Sequence, residues 1–254
     1  MKVWLNTEIV DSNDVSLDAD GWPQGSGIFE TLRTENSEVF ELSRHMRRAI
    51  DSAERLGIKL PSENLVREAI ASVLVSESNV VGRLRLLFSA KDFLVVHQSY
   101  EDLRNPQKVC VQTESAKTQE FVMKSYPYTN RLELLASVKK NGFDEVICIN
   151  DKNDVTEGAV SNFAFLLDGN WVTPPLSAGV LPGVVRAIAI ERCGVKVRSI
   201  SLDEVANIEG ALVLSSLKIA LPVVSIDDRQ LLIKGEAKTL EALIRAKTQK
   251  HSVG

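Results

Sequence analysis

The sequence is poor in the residues on which disulfide-rich and zinc proteins depend. It has three cysteines and three histidines among 254 residues, and none of them follows a C-x-x-C or H-E-x-x-H spacing. Widely separated thiols are typical of proteins in a reducing compartment, so we expect free cysteines and no metal site. The cysteines are Cys110, Cys148 and Cys193.

Long apolar runs and long basic runs are also missing. No stretch of about 18 apolar residues occurs, as a membrane helix would require, and the first residues do not have the apolar core of a signal peptide. The 30 basic residues stand against 34 acidic ones, which gives a net charge of −4. A nucleic-acid partner is therefore not expected. We expect a cytoplasmic protein that acts on a small molecule.

Short apolar–polar alternations separated by turn residues or helical patterns run along the chain. Strand-like runs such as 28–33 and 81–89 are followed by return strands, and the helices are grouped rather than alternating with strands. This organisation predicts an α+β fold with antiparallel-rich sheets and helices in both halves. The length fits either one large domain or two smaller ones. We predict a smaller N-terminal domain (1–112), a polar linker (113–120) and a larger C-terminal domain (121–254).

Lys124 stands directly before a helical pattern and is a candidate for covalent chemistry. A lysine amine reacts with an aldehyde only when it is neutral, and burial favours the neutral form. Phe121, Tyr126 and Tyr128 are near enough in sequence to form an apolar wall around it. On the local sequence alone, a solvated surface lysine is the simpler explanation.

Glu157 lies in the run V-T-E-G-A-V, which we predict to be a strand that follows the turn at 150–154. A carboxylate buried in such a run needs a cationic partner, and the protonated ring nitrogen of a cofactor is one candidate. The alternative is a turn glutamate that faces water beside Lys152.

Several residues are candidates for binding a phosphate. Gly183 permits close backbone approach at the start of a predicted helix, and the amides of Val184 and Val185 would be first-turn donors. The alternative is a Pro-Gly pair that merely ends a loop. Ser215 and Ser216 follow a predicted strand and are either phosphate ligands or ordinary turn serines. Arg48 lies opposite the apolar stripe of a helix that we predict to begin after an N-cap at Ser43, and it is either solvated or directed at the other domain.

Seven short motifs occur in a fixed order along the chain. They are G-x-G-I-F-E-T-L-R (25–33), F-x-x-x-x-H-x-x-R (40–48), K-S (124–125), G-F-D-E (142–145), V-T-E-G-x-x-S-N-F (155–163), T-P-P-L-x-x-G-x-L-x-G-x-x-R (173–186) and S-S (215–216) before L-P-V. In this order they resemble the class IV aminotransferases, the fold type IV pyridoxal-phosphate enzymes. The similarity covers nearly the whole chain.

The resemblance implies a two-domain fold like that of D-amino acid aminotransferase, pyridoxal 5'-phosphate as the cofactor, and a homodimer. It makes Lys124 the Schiff-base lysine and Glu157 the partner of the pyridine nitrogen. The implied phosphate ligands are Arg48, the helix start with Gly183, Val184 and Val185, and Ser215 and Ser216. The implied substrate pocket contains Arg85, with Phe29 and Thr31.

Members of this family act on an amino group through an external aldimine, which leaves two reactions open. One is the release of pyruvate from 4-amino-4-deoxychorismate to give 4-aminobenzoate, a folate precursor, which the short chain and the G-I-F-E-T-L-R start favour. The other is transamination of a branched-chain or related amino acid with a 2-oxo acid, which Arg85 keeps open. A cofactor-binding protein without turnover is a third reading, and the joint presence of Lys124 and Glu157 argues against it.

Overall fold

The structure is a computed structural model that describes residues 1–17, 22–102, 104–116, 122–233 and 235–250, without the side chains of 113–116. The strands are β1 (Lys2–Leu5), β2 (Glu8–Asp11), β3 (Gly27–Glu35), β4 (Glu38–Val39), β5 (Val81–Ser89), β6 (Phe93–Ser99), β7 (Gln107–Ala116), β8 (Ser125–Tyr126), β9 (Glu145–Asn150), β10 (Asn162–Leu167), β11 (Asn170–Thr173), β12 (Lys196–Val197), β13 (Gly210–Ser215), β14 (Ile219–Ile226) and β15 (Arg229–Gln230). The helices are α1 (Leu42–Leu56), α2 (Glu63–Ser76), α3 (Thr129–Lys140), α4 (Val184–Cys193) and α5 (Gly235–Lys247).

The described residues form two compact units whose limits differ from the predicted domains. One unit takes its residues from Met1–Asp102, Met123–Tyr128 and Gln249–Gly254, and the other from Leu103–Val122 and Thr129–Thr248. Strand β7 belongs to the second unit and runs to Ala116, so the first part of the predicted linker is strand. Residues 117–120 of that linker lie outside the described residues.

The first unit is an antiparallel sheet in the order β2-β1-β6-β5-β3-β4, with β8 added to β3. Alternate residues of β3 and β5, such as Leu32 and Leu84, are buried in one core with residues of α1 and α2. Ser62 starts α2, since its hydroxyl accepts a hydrogen bond from Leu65 N. The prediction of Ser43 as the cap of α1 is wrong, because the helix already begins at Leu42, after Glu41 in a left-handed conformation.

The second unit is built on a sheet in the order β12-β11-β10-β13-β14-β7-β9, with β15 on β14. Most pairs are antiparallel, while β7 is parallel to both β14 and β9, and β12 is parallel to β11. Its core includes Phe163 and Phe165, which stack at 5.2 Å between ring centroids. Helices occur in both units, so the α+β prediction is confirmed. None of the helices within the described ranges is long and apolar enough to cross a membrane.

Candidate active site

In the first unit, Lys124 is held by the sheet immediately before β8. Strand β8 pairs with the start of β3, and Phe29 N donates a hydrogen bond of 2.9 Å to the carbonyl of Lys124. The half-buried Lys124 amine lies 4.5 Å from the ring centroid of Phe29 and 5.2 Å from that of Tyr128. The predicted apolar wall thus includes Tyr128 and gains Phe29. Phe121 lies outside the described residues.

Trp22 joins this aromatic group and was not identified from the sequence, where it lies in a loop. Its ring lies 4.7 Å from that of Phe29 and 5.9 Å from that of Tyr126, and the guanidinium carbon of Arg85 stands 4.6 Å from the Trp22 centroid. The Gly-Trp-Pro run at 21–23 is the signal in the sequence that could have pointed to Trp22. Thr31 pairs across the sheet with Arg85. The predicted substrate residues and the lysine amine therefore share one face of the sheet.

Gly27 makes this arrangement possible. A Cβ atom at Gly27 would lie 2.6 Å from the hydroxyl oxygen of Tyr126 and 2.2 Å from the carbonyl oxygen of Phe88. Only a residue without a side chain lets β8 approach β3 so closely. The second glycine of the G-x-G motif thereby fixes the segment that carries Lys124.

Arg48 lies on the other face of the same sheet, where it is buried and bonded to Glu30. Its Nε and Nη2 donate to the two carboxylate oxygens at 2.9 and 2.5 Å, and His45 Nδ1 lies 2.6 Å from Glu30 Oε2. Burial alone would raise the pKa of Glu30, but the charge and hydrogen bonds of Arg48, together with those of His45, bring it to about 2. Burial lowers the pKa of His45 despite Glu30, and Arg48 and Lys124 lower it further.

In the second unit, Glu157 lies in the segment between β9 and β10. The predicted strand around it is wrong, because β10 begins only at Asn162. Glu157 is 5% exposed, which removes the alternative of a water-facing turn residue. Its carboxylate accepts hydrogen bonds from Arg131 Nη2 at 2.8 Å, Asn162 Nδ2 at 3.1 Å and Leu181 N at 2.8 Å. These donors hold the carboxylate in one orientation.

Gly183 lies against the side-chain amide of Asn162, which also donates to Glu157. A Cβ atom at Gly183 would lie 1.8 Å from Asn162 Oδ1, so no larger residue fits without moving Asn162. Gly183 is the N-cap residue of α4 and provides no side-chain cap. The first-turn amides of Val184 and Val185 consequently lack an intrahelical carbonyl partner. These are the donors that the sequence predicted for a phosphate.

Arg186 adds a buried positive charge to that first turn. Its Nε donates to Thr173 Oγ1 at 3.2 Å and its Nη2 to the carbonyl of Pro174 at 2.7 Å, both neutral acceptors. Burial lowers the pKa of Arg186, and the charge of Glu157 partly opposes this. The positive end of α4 and this guanidinium both favour an anion.

Ser215 ends β13, and Ser216 begins the turn to β14. The Ser215 hydroxyl accepts a hydrogen bond of 3.2 Å from Lys218 N, which orders the turn. Ile219 closes it with φ of 60°, a left-handed conformation that a β-branched residue rarely adopts. Such strain often accompanies binding loops.

Comparison with known proteins adds an independent line of support. The family model for amino-transferase class IV matches residues 27–226. The chain belongs to the class IV aminotransferase family. Members of this family are pyridoxal-phosphate-dependent enzymes, either aminotransferases or lyases, so the predicted cofactor is confirmed.

Relatives of this chain carry more than one activity in their names. A protein of Methanocaldococcus jannaschii, provisionally named a branched-chain-amino-acid aminotransferase, is 28% identical over 90% of this chain and 89% of its own. One of Schizosaccharomyces pombe, provisionally named an aminodeoxychorismate lyase, is 27% identical over 65% of this chain and 74% of its own. The pyridoxal-phosphate-bound form of a hypothetical aminotransferase of Mycobacterium tuberculosis has a TM-score of 0.84 at 20% identity and covers 97% of this chain and 98% of its own.

The side chains of this family member fit the chemistry of the cofactor. The first unit offers an amine, the group that reacts with an aldehyde, held against aromatic rings. The second unit offers a carboxylate fixed by three donors and a helix start with uncapped amides beside a buried arginine. No three His, Cys, Asp or Glu side chains come together as a metal site among the residues that the structure describes.

Proposed function

We propose that this protein is a 4-amino-4-deoxychorismate lyase that releases pyruvate and leaves 4-aminobenzoate. The reaction removes a proton from the carbon that bears the amine, breaks the C–O bond to the enolpyruvyl group and adds a proton to that leaving group. Pyridoxal phosphate, when bound, supplies an electron sink for the charge that develops at the deprotonated carbon. Homodimeric assembly and a cytoplasmic location are part of the proposal, on the family resemblance.

In this proposal Lys124 provides the amine that holds the cofactor and later moves the proton at the amine-bearing carbon. The contacts of its amine with the Phe29 and Tyr128 rings support this role, because they hold the amine in one place beside the proposed substrate residues. The proposal depends chiefly on one observation, the position of the Lys124 amine against these two rings.

Glu157 is proposed to hold the protonated pyridine nitrogen. Its burial and its three hydrogen bonds support the role, since an ionised, immobile carboxylate stabilises a positive ring nitrogen. Val184, Val185 and the serines at 215 and 216 are proposed to bind the phosphate. Gly183 allows the helix start to take its place. Arg48 is proposed as a further phosphate ligand, with two of its nitrogens already ordered by Glu30.

The substrate is proposed to contact Arg85, Phe29 and Thr31. The position of the Arg85 guanidinium over Trp22, next to the ring that carries the Lys124 amine, supports an acidic group on the substrate near the reacting amine. Amino-deoxychorismate carries two carboxylates, whereas branched-chain amino acids have an apolar side chain. An arginine on this face therefore suits the lyase substrate.

Transamination with a 2-oxo acid is the second candidate. The relative that covers 90% of this chain bears the name of a branched-chain aminotransferase. A dicarboxylic 2-oxo acid would also suit Arg85.

The deciding experiment supplies purified protein and pyridoxal phosphate with aminodeoxychorismate, and measures pyruvate and aminobenzoate. A parallel assay offers a panel of amino acids with 2-oxoglutarate. Equimolar pyruvate and aminobenzoate support the lyase, while amino-group exchange without pyruvate supports the transaminase.

Borohydride reduction followed by peptide mass spectrometry tests the site itself. The cofactor is expected on the peptide with Lys124, and Lys124→Ala is expected to abolish turnover with an unchanged circular dichroism spectrum. Labelling of another lysine, or full activity of that variant, would refute the assignment.

A further inference from the structure

Arg83 and Arg85 extend from the same face of β5. Cross-strand pairing sets Arg83 opposite Arg33 and Arg85 opposite Thr31, two positions from Phe29 on β3. Residues two apart on a strand share a face and stand about 7 Å apart. The face that carries the Lys124 amine thus continues from Phe29 through Arg85 to Arg83.

Arg33, the neighbour of Arg83, is fully neutralised. Its Nη1 and Nη2 donate to the carboxylate of Asp102 at 3.0 and 2.8 Å, and its Nε donates to Glu35 at 2.9 Å. The side chain is 0% exposed. The guanidinium of Arg33 therefore stabilises the fold through these ion pairs and is not available to a ligand.

Arg83 lacks such compensation. Its Nη2 donates to the neutral amide oxygen of Gln98 at 2.6 Å, and its buried Nε has no hydrogen-bond partner. No carboxylate lies within ion-pair distance of Arg83 in the described ranges. Asp102 forms its ion pair with Arg33 instead. Burial lowers the pKa of Arg83, and Tyr100 opposes this only in part. A half-buried cation with an unused donor is unfavourable unless a ligand supplies the acceptor.

We propose that Arg83 binds a second carboxylate of the substrate, so that the enzyme selects amino compounds or oxo acids with two acid groups. Arg85 contacts the acid nearer to the reacting carbon, and Arg83 contacts the one farther along the strand. The spacing of about 7 Å along β5 suits carboxylates separated by several bonds. This inference rests on the proposed function, because it treats the face beside Lys124 as the substrate side.

The primary test measures binding of glutarate and butyrate to the pyridoxal-phosphate-loaded protein by titration calorimetry. Glutarate carries two carboxylates joined by a three-carbon chain. Butyrate has the same three-carbon chain with only one carboxylate. The wild-type protein is expected to bind glutarate at least about tenfold more tightly. Arg83→Leu is expected to weaken glutarate about 10- to 100-fold, the range for a charge-assisted hydrogen bond, and to leave butyrate within about twofold.

Two further variants control the measurement. Arg67→Leu removes an arginine whose ion pair with Glu63 lies exposed on α2, and it is expected to leave both affinities unchanged. Arg83→Lys keeps the charge but not the paired donors, and is expected to retain part of the preference for glutarate. This variant also supplies the test if the leucine variant does not fold.

Kinetics then compare kcat/KM for diacid and monoacid amino donors in the same proteins. If Arg83→Leu loses the preference for diacids because the KM for the diacid rises, the proposal is supported. An unchanged glutarate-to-butyrate ratio in a folded Arg83 variant overturns it, as does a wild-type protein that binds neither probe or prefers butyrate. Arg83-dependent glutarate binding without turnover would instead refute the reaction and leave the diacid site standing.

Discussion

Arg131 donates one hydrogen bond to the carboxylate of Glu157 at 2.8 Å and another to the carbonyl of Gly158 at 3.0 Å. A single guanidinium from the first turn of α3 thus holds both the acid and the backbone that follows it. Most of the Glu157 side chain is removed from water, at 7% exposure, so its charge depends on this partner.

Arg131→Leu is expected to reduce kcat about 10- to 100-fold, because a hydrogen bond to a charged group contributes about 1.5–3 kcal/mol. Arg131→Lys is expected to restore part of it. Steady-state kinetics and the absorbance spectrum of the bound cofactor as a function of pH check this. Glu157→Gln is the matched comparison and is expected to change the spectrum in the same direction. A normal spectrum and kcat in Arg131→Leu would contradict the role.

Gly183→Ala is expected to weaken cofactor binding and to destabilise the fold by about 1–3 kcal/mol, the usual cost of overpacking. The added methyl group would displace Asn162, which holds both Glu157 and the carbonyl of Leu181. Equilibrium dialysis of pyridoxal phosphate and urea unfolding provide the measurements. Gly235→Ala has no atom within 4 Å of the added Cβ and is expected to change neither quantity. Equal behaviour of the two variants would argue against the packing explanation.

Glu30→Gln is expected to change the pH dependence of stability. The folded pKa of about 2 lies below the ordinary 4.5, so Glu30 stabilises the native state above about pH 4.5 and this contribution is lost as the pH falls toward 2. The shift corresponds to about 3 kcal/mol. Urea midpoints should therefore separate the wild type from the variant most at pH 7 and progressively less below pH 4.5.

Glu63→Gln is the control for that series, since Glu63 forms an exposed ion pair worth about 1 kcal/mol or less. A gap between the wild type and Glu30→Gln that stays constant from pH 7 to pH 3 would show that the ionisation of Glu30 does not stabilise the fold.

The fold class and strands such as 28–33 and 81–89 could be predicted from the sequence, because hydrophobic periodicity acts locally. Ser62 and Gly57 mark helix ends that could be read directly. Ser43 was predicted as the N-cap of α1 because serine is a preferred cap residue. The observed N-cap residue, Glu41, adopts a left-handed conformation that no local pattern indicates.

The supporting residues of the site were missed for a different reason. Glu30, Arg131 and Trp22 act through partners that are distant in sequence, so no local pattern distinguishes them from surface charges or a loop aromatic. Strand alternation places Arg83 on the same face as Arg85, but whether a described residue provides its counter-ion depends on tertiary contacts alone.

The hydrogen bond from Phe29 N to the carbonyl of Lys124 offers a way to observe the lysine without any ligand. Strand β8 is only two residues long, so few bonds hold it to β3, and local opening there releases the Phe29 amide to solvent. Its hydrogen–deuterium exchange rate should consequently report how often the lysine backbone detaches. A substitution that loosens β8 would accelerate exchange at this amide while the neighbouring amides between β3 and β5 stay protected.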